Sequence, residues 1–168
     1  MILKKLPLAA RVYTIANQYN VEQNKVHQII NSYITYCKDS LLSGHRVEIF
    51  GLITLMPNIL VSDSNMTLAY ECSKLDVCST VSSYTVYCIV NEYISSLIED
   101  VTNGKSVELR GLACINPIKD ADGNIISFHS SISALLKEKL INYDAGVSSI
   151  RVYTHRYLKH YIKERSLA

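Results

Sequence analysis

VHQIINSYITYCKDSLLSGHRVEIFGLITLMP, residues 26–57, is followed 60 residues later by VYCIVNEYISSLIEDVTNGKSVELRGLACINP, residues 86–117. The two stretches align without a gap, and 11 of the 32 positions are identical. A segment that recurs in this way is one supersecondary unit used twice. Because a unit of about 60 residues buries too little surface to be stable alone, the duplication predicts two halves that share one hydrophobic core.

Each copy has the pattern of a long helix followed by two short strands. Apolar residues at helical spacing predict helices over residues 22–43 and 84–101. Alternating residues after each helix predict a short strand, a tight turn and a second strand. Four glycines mark the helix ends and the turns, where a left-handed backbone favours glycine: Gly44, Gly51, Gly104 and Gly111.

Shorter elements are predicted around the two copies. Helical spacing predicts helices over residues 7–19, 131–142 and 149–165, and residues 72–81 have room for one short helix that serves one half or both. Further strands are expected over 59–62 and 66–70, and Asp122-Gly123 predicts a hairpin. The expected division is a first half over 1–71, a second half over 72–142 and a basic C-terminal helix over 143–168.

The passage Gly44-x-x-Val47-Glu48-Ile49-x-Gly51-Leu52, repeated from Gly104 to Leu112, resembles the HU/IHF family of bacterial DNA-bending proteins. The resemblance covers about 32 residues in each half. It implies an α+β fold in which two HU/IHF-like halves are fused as a single-chain pseudo-dimer, because the family works as an intertwined dimer. A C-terminal helix would be added to that fold.

The chain departs from this family where the family touches DNA. Family members extend two β-arms rich in Arg and Lys, each with a proline at its tip that wedges between bases. Here residues 58–71 contain no Lys or Arg, and residues 118–130 contain only Lys119. Pro57 and Pro117 fall at the bases of the predicted hairpins. Because minor-groove bending needs cations and an apolar wedge on the arms, bending by the arms is not expected.

The basic residues gather instead at the C-terminus. Residues 151–168 contain five Lys or Arg and one Glu, which gives net +4, whereas residues 1–150 have net −2. On the predicted helix, one face carries Arg151, His155, Arg156, Lys159, Lys163 and Arg165. This face is a candidate phosphate-binding surface. An acidic protein partner and an ordinary solvated face are the alternatives.

Three further cations, Arg46, Lys105 and Arg110, are expected at the turns beside the short strands, where they would approach phosphates in a fold of this family. The five histidines are scattered, and no nucleophile motif or phosphate-binding glycine loop occurs. The five cysteines lack the spacing of zinc ligands and fit small buried residues in a reducing compartment. We therefore expect neither an enzyme nor a metal or cofactor.

Two functions follow as hypotheses. The first is a non-enzymatic, HU/IHF-like architectural protein that associates with DNA, weakly and with salt sensitivity, mainly through the C-terminal helix. The second is a structural or assembly protein, for example a bacteriophage head, neck or tail component, that uses its cation-poor hairpins for protein contacts. The sequence has no apolar run of about 18 residues, so no membrane contact is expected. A cytoplasmic or virion-associated protein, assembled as a homo-oligomer or within a larger particle, fits both hypotheses.

Overall fold

The computed structural model of the chain describes residues 7–61, 66–142 and 146–162. The fold is mixed α+β, as predicted. The helices are α1 (Leu8–Tyr19), α2 (Gln23–Leu42), α3 (Leu68–Ser73), α4 (Ser83–Thr102) and α5 (Ala134–Asn142), with 3₁₀ helices at Asp76–Ser79 and Arg156–Tyr161. The strands are β1 (Val47–Ile49), β2 (Ile53–Pro57), β3 (Val107–Leu109), β4 (Ala113–Lys119), β5 (Ile125–Ile132) and β6 (Ile150–Thr154).

The two long helices, α2 and α4, lie where the repeat predicts them. Each buries the same seven positions of its apolar stripe, from Val26 to Leu41 in α2 and from Val86 to Val101 in α4. Gly44 and Gly104 follow the helix ends, and both have φ of +87°. A side chain is strained in that conformation, so these glycines are required by the backbone.

The strands form two antiparallel sheets of three strands, ordered β1-β2-β6 and β3-β4-β5. The first pair in each sheet has the same register at an offset of 60 residues: Val47 lies opposite Leu55, and Val107 lies opposite Ile115. The third strands differ in origin. β5 follows β4 directly through a hairpin, whereas β6 comes from the C-terminal part of the chain and completes the first sheet.

The predicted C-terminal helix over residues 149–165 is therefore wrong. Residues 150–154 form β6, which pairs with β2 along its whole length, and residues 156–161 form a short 3₁₀ helix. The sequence Ile-Arg-Val-Tyr-Thr alternates, with Arg151 and Tyr153 exposed and the residues between them turned inward. β-Branched residues at this period favour a strand, and β2 has an open edge that needs a partner.

The segment between the copies also differs from expectation. The strand predicted over 66–70 is wrong, because Leu68 begins α3 and the Thr67 hydroxyl accepts a hydrogen bond of 3.2 Å from the Tyr70 N–H at the helix start. The described residues of the strand predicted over 59–62 are not extended strand, and its last residue lies outside the described part of the chain. The expected boundary between residues 71 and 72 falls inside α3.

One buried cluster contains apolar side chains from both copies, including those of α2, α4 and the strands. The two sheets approach each other at β5 and β6, where the hydroxyls of Ser130 and Thr154 share a hydrogen bond of 2.7 Å. None of the helices in the described residues combines the length and apolarity that a bilayer crossing requires.

Candidate nucleic-acid interface

The C-terminal segment presents cations and aromatic rings together. We use the name C-terminal surface for five of its exposed residues: Arg151, Tyr153, Arg156, Tyr157 and Lys159. Arg151 and Tyr153 stand on the solvent side of β6, and the other three lie on the 3₁₀ helix that follows. Residues 146–162 contain no Asp or Glu. Cations accompanied by exposed rings suit a phosphate backbone and unstacked bases.

This segment is fixed to the core at two points. Leu158 is buried, and the Leu52 carbonyl accepts a hydrogen bond of 2.9 Å from the His155 N–H. At the start of the 3₁₀ helix, His155 Nδ1 accepts a hydrogen bond of 3.3 Å from the Tyr157 N–H. The exposed cations are therefore carried on a docked segment.

His155 was predicted as a phosphate contact on the basic face, and the structure contradicts this. Its side chain is only 9% exposed, and its Nε2 lies 3.3 Å from Glu48 Oε1. The turn inward follows from the strand, which ends at Thr154 and brings His155 against the β1–β2 turn. Two other predicted contacts, Lys163 and Arg165, lie outside the described residues.

An aromatic cluster connects the C-terminal surface to the first sheet. The Phe50 ring, 64% exposed at the β1–β2 turn, lies 5.0 Å from the His155 ring and 5.3 Å from the Tyr157 ring. The rings of His155 and Tyr157 are stacked with centroids 5.4 Å apart. No local pattern in the sequence indicates this cluster, because Phe50 and Tyr157 are brought together only by the pairing of β6 with β2.

The three cations predicted at turns occupy different environments. Arg110 is exposed in the β3–β4 turn, as expected. Arg46 and Lys105 instead lie in the helix-to-strand connections, because Gly44 and Gly104 end the helices just before them, and both are half-buried. Arg46 Nη2 lies 3.6 Å from Glu48 Oε2. Arg46 is thus partly neutralised and lies apart from the β1–β2 turn.

The β4–β5 hairpin has an acidic tip. The Asp120 carboxylate accepts hydrogen bonds of 2.9 Å from the backbone N–H groups of Asp122 and Asn124, which fixes the turn. The Lys119 side chain packs over Gly104, with its Cε 2.8 Å from the place of a Cβ there. The hairpin therefore presents carboxylates where a DNA-bending arm would present cations.

A buried ion pair between the copies was not predicted from the sequence. Arg11 on α1 is 5% exposed and donates hydrogen bonds to Asp100, at 2.6 Å, and to Ser96, at 3.1 Å, both on α4. Glu71 on α3 is 8% exposed and stands 60 residues after Arg11. The equivalence of Arg11 and Glu71 is visible in the sequence, because Leu8-Ala9 in α1 and Leu68-Ala69 in α3 have the same offset of 60 residues.

Neither metal-binding clusters nor disulfides occur among the described residues. Cys37 and Cys72 are buried, and burial raises the pKa of both thiols. In comparisons with known proteins, no family model and no curated protein matches the chain.

Proposed function

We propose that the chain is a non-enzymatic, HU/IHF-like architectural protein that associates with DNA. In this proposal the two copies act as the halves of a single-chain pseudo-dimer. Supporting it are the repeated register of β1-β2 and β3-β4 and the meeting of the two sheets at β5 and β6. The strand β6 then takes the place of a third strand in the first half, as β5 does in the second.

The observation that carries the DNA contact is the C-terminal surface. Three exposed cations, Arg151, Arg156 and Lys159, lie within nine residues without an intervening acid. Each cation that neutralises a phosphate releases counterions, so affinity falls with salt. Because the β4–β5 tip is acidic, the proposal assigns no bending role to the hairpins.

The test is a DNA titration of the wild type and point variants, in which binding is measured by fluorescence anisotropy at several salt concentrations. Truncation before β6 is unsuitable, because it removes a strand of the first sheet. The variant Arg151→Gln/Arg156→Gln/Lys159→Gln should weaken binding, and the slope of log affinity against log salt should become less negative by about 2.7, roughly 0.9 for each lost contact.

The matched control removes three charges elsewhere, from the exposed residues Lys74, Lys137 and Lys139. Replacing each of them by Gln should leave the salt slope within about one contact of the wild-type value. Equal weakening by both triple variants, or no binding by the wild type at low salt, would refute the DNA-binding surface.

A structural or assembly role, as in a bacteriophage particle, is the second candidate. It is favoured by exposed apolar side chains in the segment after β2, namely Ile59, Leu60, Val61 and Met66. Val61 is 71% exposed. If this segment mediates assembly, Val61→Lys should abolish self-association in light scattering, whereas Tyr84→Lys, at another exposed site, should not. A wild-type protein that stays monomeric at every concentration counts against self-assembly.

A further inference from the structure

A cavity of about 480 Å³ opens between the two copies. Its walls come from α2, β1, α3 and α4, and we call it the inter-repeat cavity. Its main lining residues are Tyr33, Glu48, Phe50, Leu68, Glu71 and Tyr87. A second cavity of about 210 Å³ adjoins it and shares Glu48, Met66 and Glu71. The volume falls within the usual range of small-molecule sites, about 300–1,000 Å³.

Glu71 places a buried carboxylate in both cavities. Its side chain has no hydrogen bond or ion pair with any residue in the described part of the chain. Desolvation raises its pKa to about 7. A buried charge normally has a partner, because an unpaired one is expensive to desolvate.

The equivalent position in the first copy shows what a partner does. Arg11 is paired with Asp100 and Ser96, and the residues 60 positions before those two are Ser40 and Tyr36. Ser40 and Tyr36 do line the adjoining cavity with Glu71, but neither carries a positive charge. At the positions equivalent to Asp100 and Ser96, the chain therefore supplies no cation to Glu71. Arg46 also lines the adjoining cavity, and its Nη2 lies 3.6 Å from Glu48 Oε2.

Tyr33 gives an independent indication of a ligand. Its side chain is fully buried and lines the inter-repeat cavity, and its hydroxyl has no hydrogen-bond partner among the described residues. Burial raises the pKa of the Tyr33 hydroxyl, and the nearby Cys37 thiol adds to the rise, but the thiol does not have hydrogen-bond geometry to the hydroxyl. Buried hydroxyls are rarely left without a hydrogen bond. The cavity therefore offers a ligand the Glu71 carboxylate as an acceptor and the Tyr33 hydroxyl as a second polar group.

The walls restrict the chemistry of a ligand. Phe50 and Tyr87 bring aromatic rings to the cavity wall, and aromatic rings attract cations, while Leu68 and Met66 are apolar. We infer that the inter-repeat cavity binds a small organic cation, a primary amine or guanidine with a short apolar group, whose charged end pairs with the Glu71 carboxylate beside the Tyr33 hydroxyl.

The inference is tested on the full chain by calorimetry and NMR at pH 8 and low salt, with benzylamine and its neutral analogue benzyl alcohol. Benzylamine should bind saturably with Kd on the order of 1 mM, typical of a ligand of that size. Benzyl alcohol should bind at least about tenfold more weakly, since it lacks the charge that pairs with Glu71.

Glu71→Gln should weaken benzylamine binding at least about tenfold, because the charged acceptor is lost. Glu99→Gln, which removes an exposed carboxylate of α4, should leave it unchanged. The inference is overturned if benzylamine does not saturate, if benzyl alcohol binds as well, or if Glu71→Gln binds like the wild type. N-acetyl-lysine amide forms a further arm: tighter binding than benzylamine would assign the site to a lysine of a partner protein and overturn the small-molecule assignment. None of these readouts depends on DNA binding.

Discussion

Glu71→Gln is expected to stabilise the protein at pH 8. Glutamine keeps the shape of the side chain but carries no charge, so it removes the desolvation of a buried carboxylate. The pKa of Glu71 rises from 4.5 to about 7 on folding. A raised pKa means that the folded state holds the proton more tightly, so the wild type loses stability as the pH rises from 4.5 through 7.

The size of the effect follows from the same shift. About 2.5 pKa units at 1.36 kcal/mol each correspond to roughly 3 kcal/mol above pH 7. The adjoining cavity gives water some access to the carboxylate, so about 2 kcal/mol is the expected gain at pH 8. At pH 5, most of the folded wild type is protonated at Glu71, and the gain should fall below about 1 kcal/mol.

The measurement is urea unfolding of the wild type and Glu71→Gln at pH 5 and pH 8, monitored by circular dichroism. The other ionisable residues around the site, including Tyr36, His45, Arg46 and Glu48, are common to both proteins, so the difference between the curves reports Glu71. The exposed control Glu99→Gln should change stability by less than about 0.5 kcal/mol at either pH. A Glu71→Gln protein that is no more stable than the wild type at pH 8 would refute the reasoning.

Three other tests of the fold use substitutions in the same urea assay. Asp100→Asn should destabilise by about 3 kcal/mol, because it leaves the buried Arg11 without its anion; a loss below about 1 kcal/mol would contradict a tight pair. Gly44→Ala and Gly104→Ala should each destabilise by about 1–2 kcal/mol, because both positions have a positive φ. Gly44→Ala should destabilise more, because its Cβ would lie 2.8 Å from the Val61 side chain and 3.2 Å from the Ile59 carbonyl. A Cβ at Gly104 would meet only the flexible Lys119 side chain. Equal losses would argue against the tight contact at Gly44. Leu158→Ala should destabilise by about 2–4 kcal/mol, because the Leu158 side chain is buried. The control Tyr161→Ala, at an exposed position, should destabilise by less than about 0.5 kcal/mol. Similar losses of stability in the two variants would mean that the C-terminal segment is not docked on the core.

The repeat allowed the central fold to be predicted from sequence. Local patterns predict the apolar stripes of α2 and α4 and the strand pairs β1-β2 and β3-β4. Each pattern occurs in both copies, so a chance spacing in one copy would not recur in the other. Gly44 and Gly104 end the helices as predicted and have the expected left-handed backbone. These elements depend on short-range sequence and on burial at a fixed period.

The errors occurred where long-range pairing decides the structure. Basic residues recur at helical spacing over 151–163, whereas residues 150–154 have β-branched residues at strand spacing. Only the open edge of β2, nearly 100 residues earlier in the chain, selects the strand. The assignment of His155 failed for the same reason. Its contact with Glu48 joins residues 107 positions apart, which no local pattern records.

The differences between the copies say more about function than their similarity does. At one pair of equivalent positions, Arg11 is satisfied inside the protein and Glu71 is not. If Glu71 were only a structural defect, Glu71→Gln would gain stability and change nothing else. If it holds a cation, the same substitution must gain stability in the free protein and lose the stability that the ligand adds. A stabilised variant that no longer responds to benzylamine would therefore identify Glu71 as a binding residue, and one that still responds would leave it as a defect of the duplicated core.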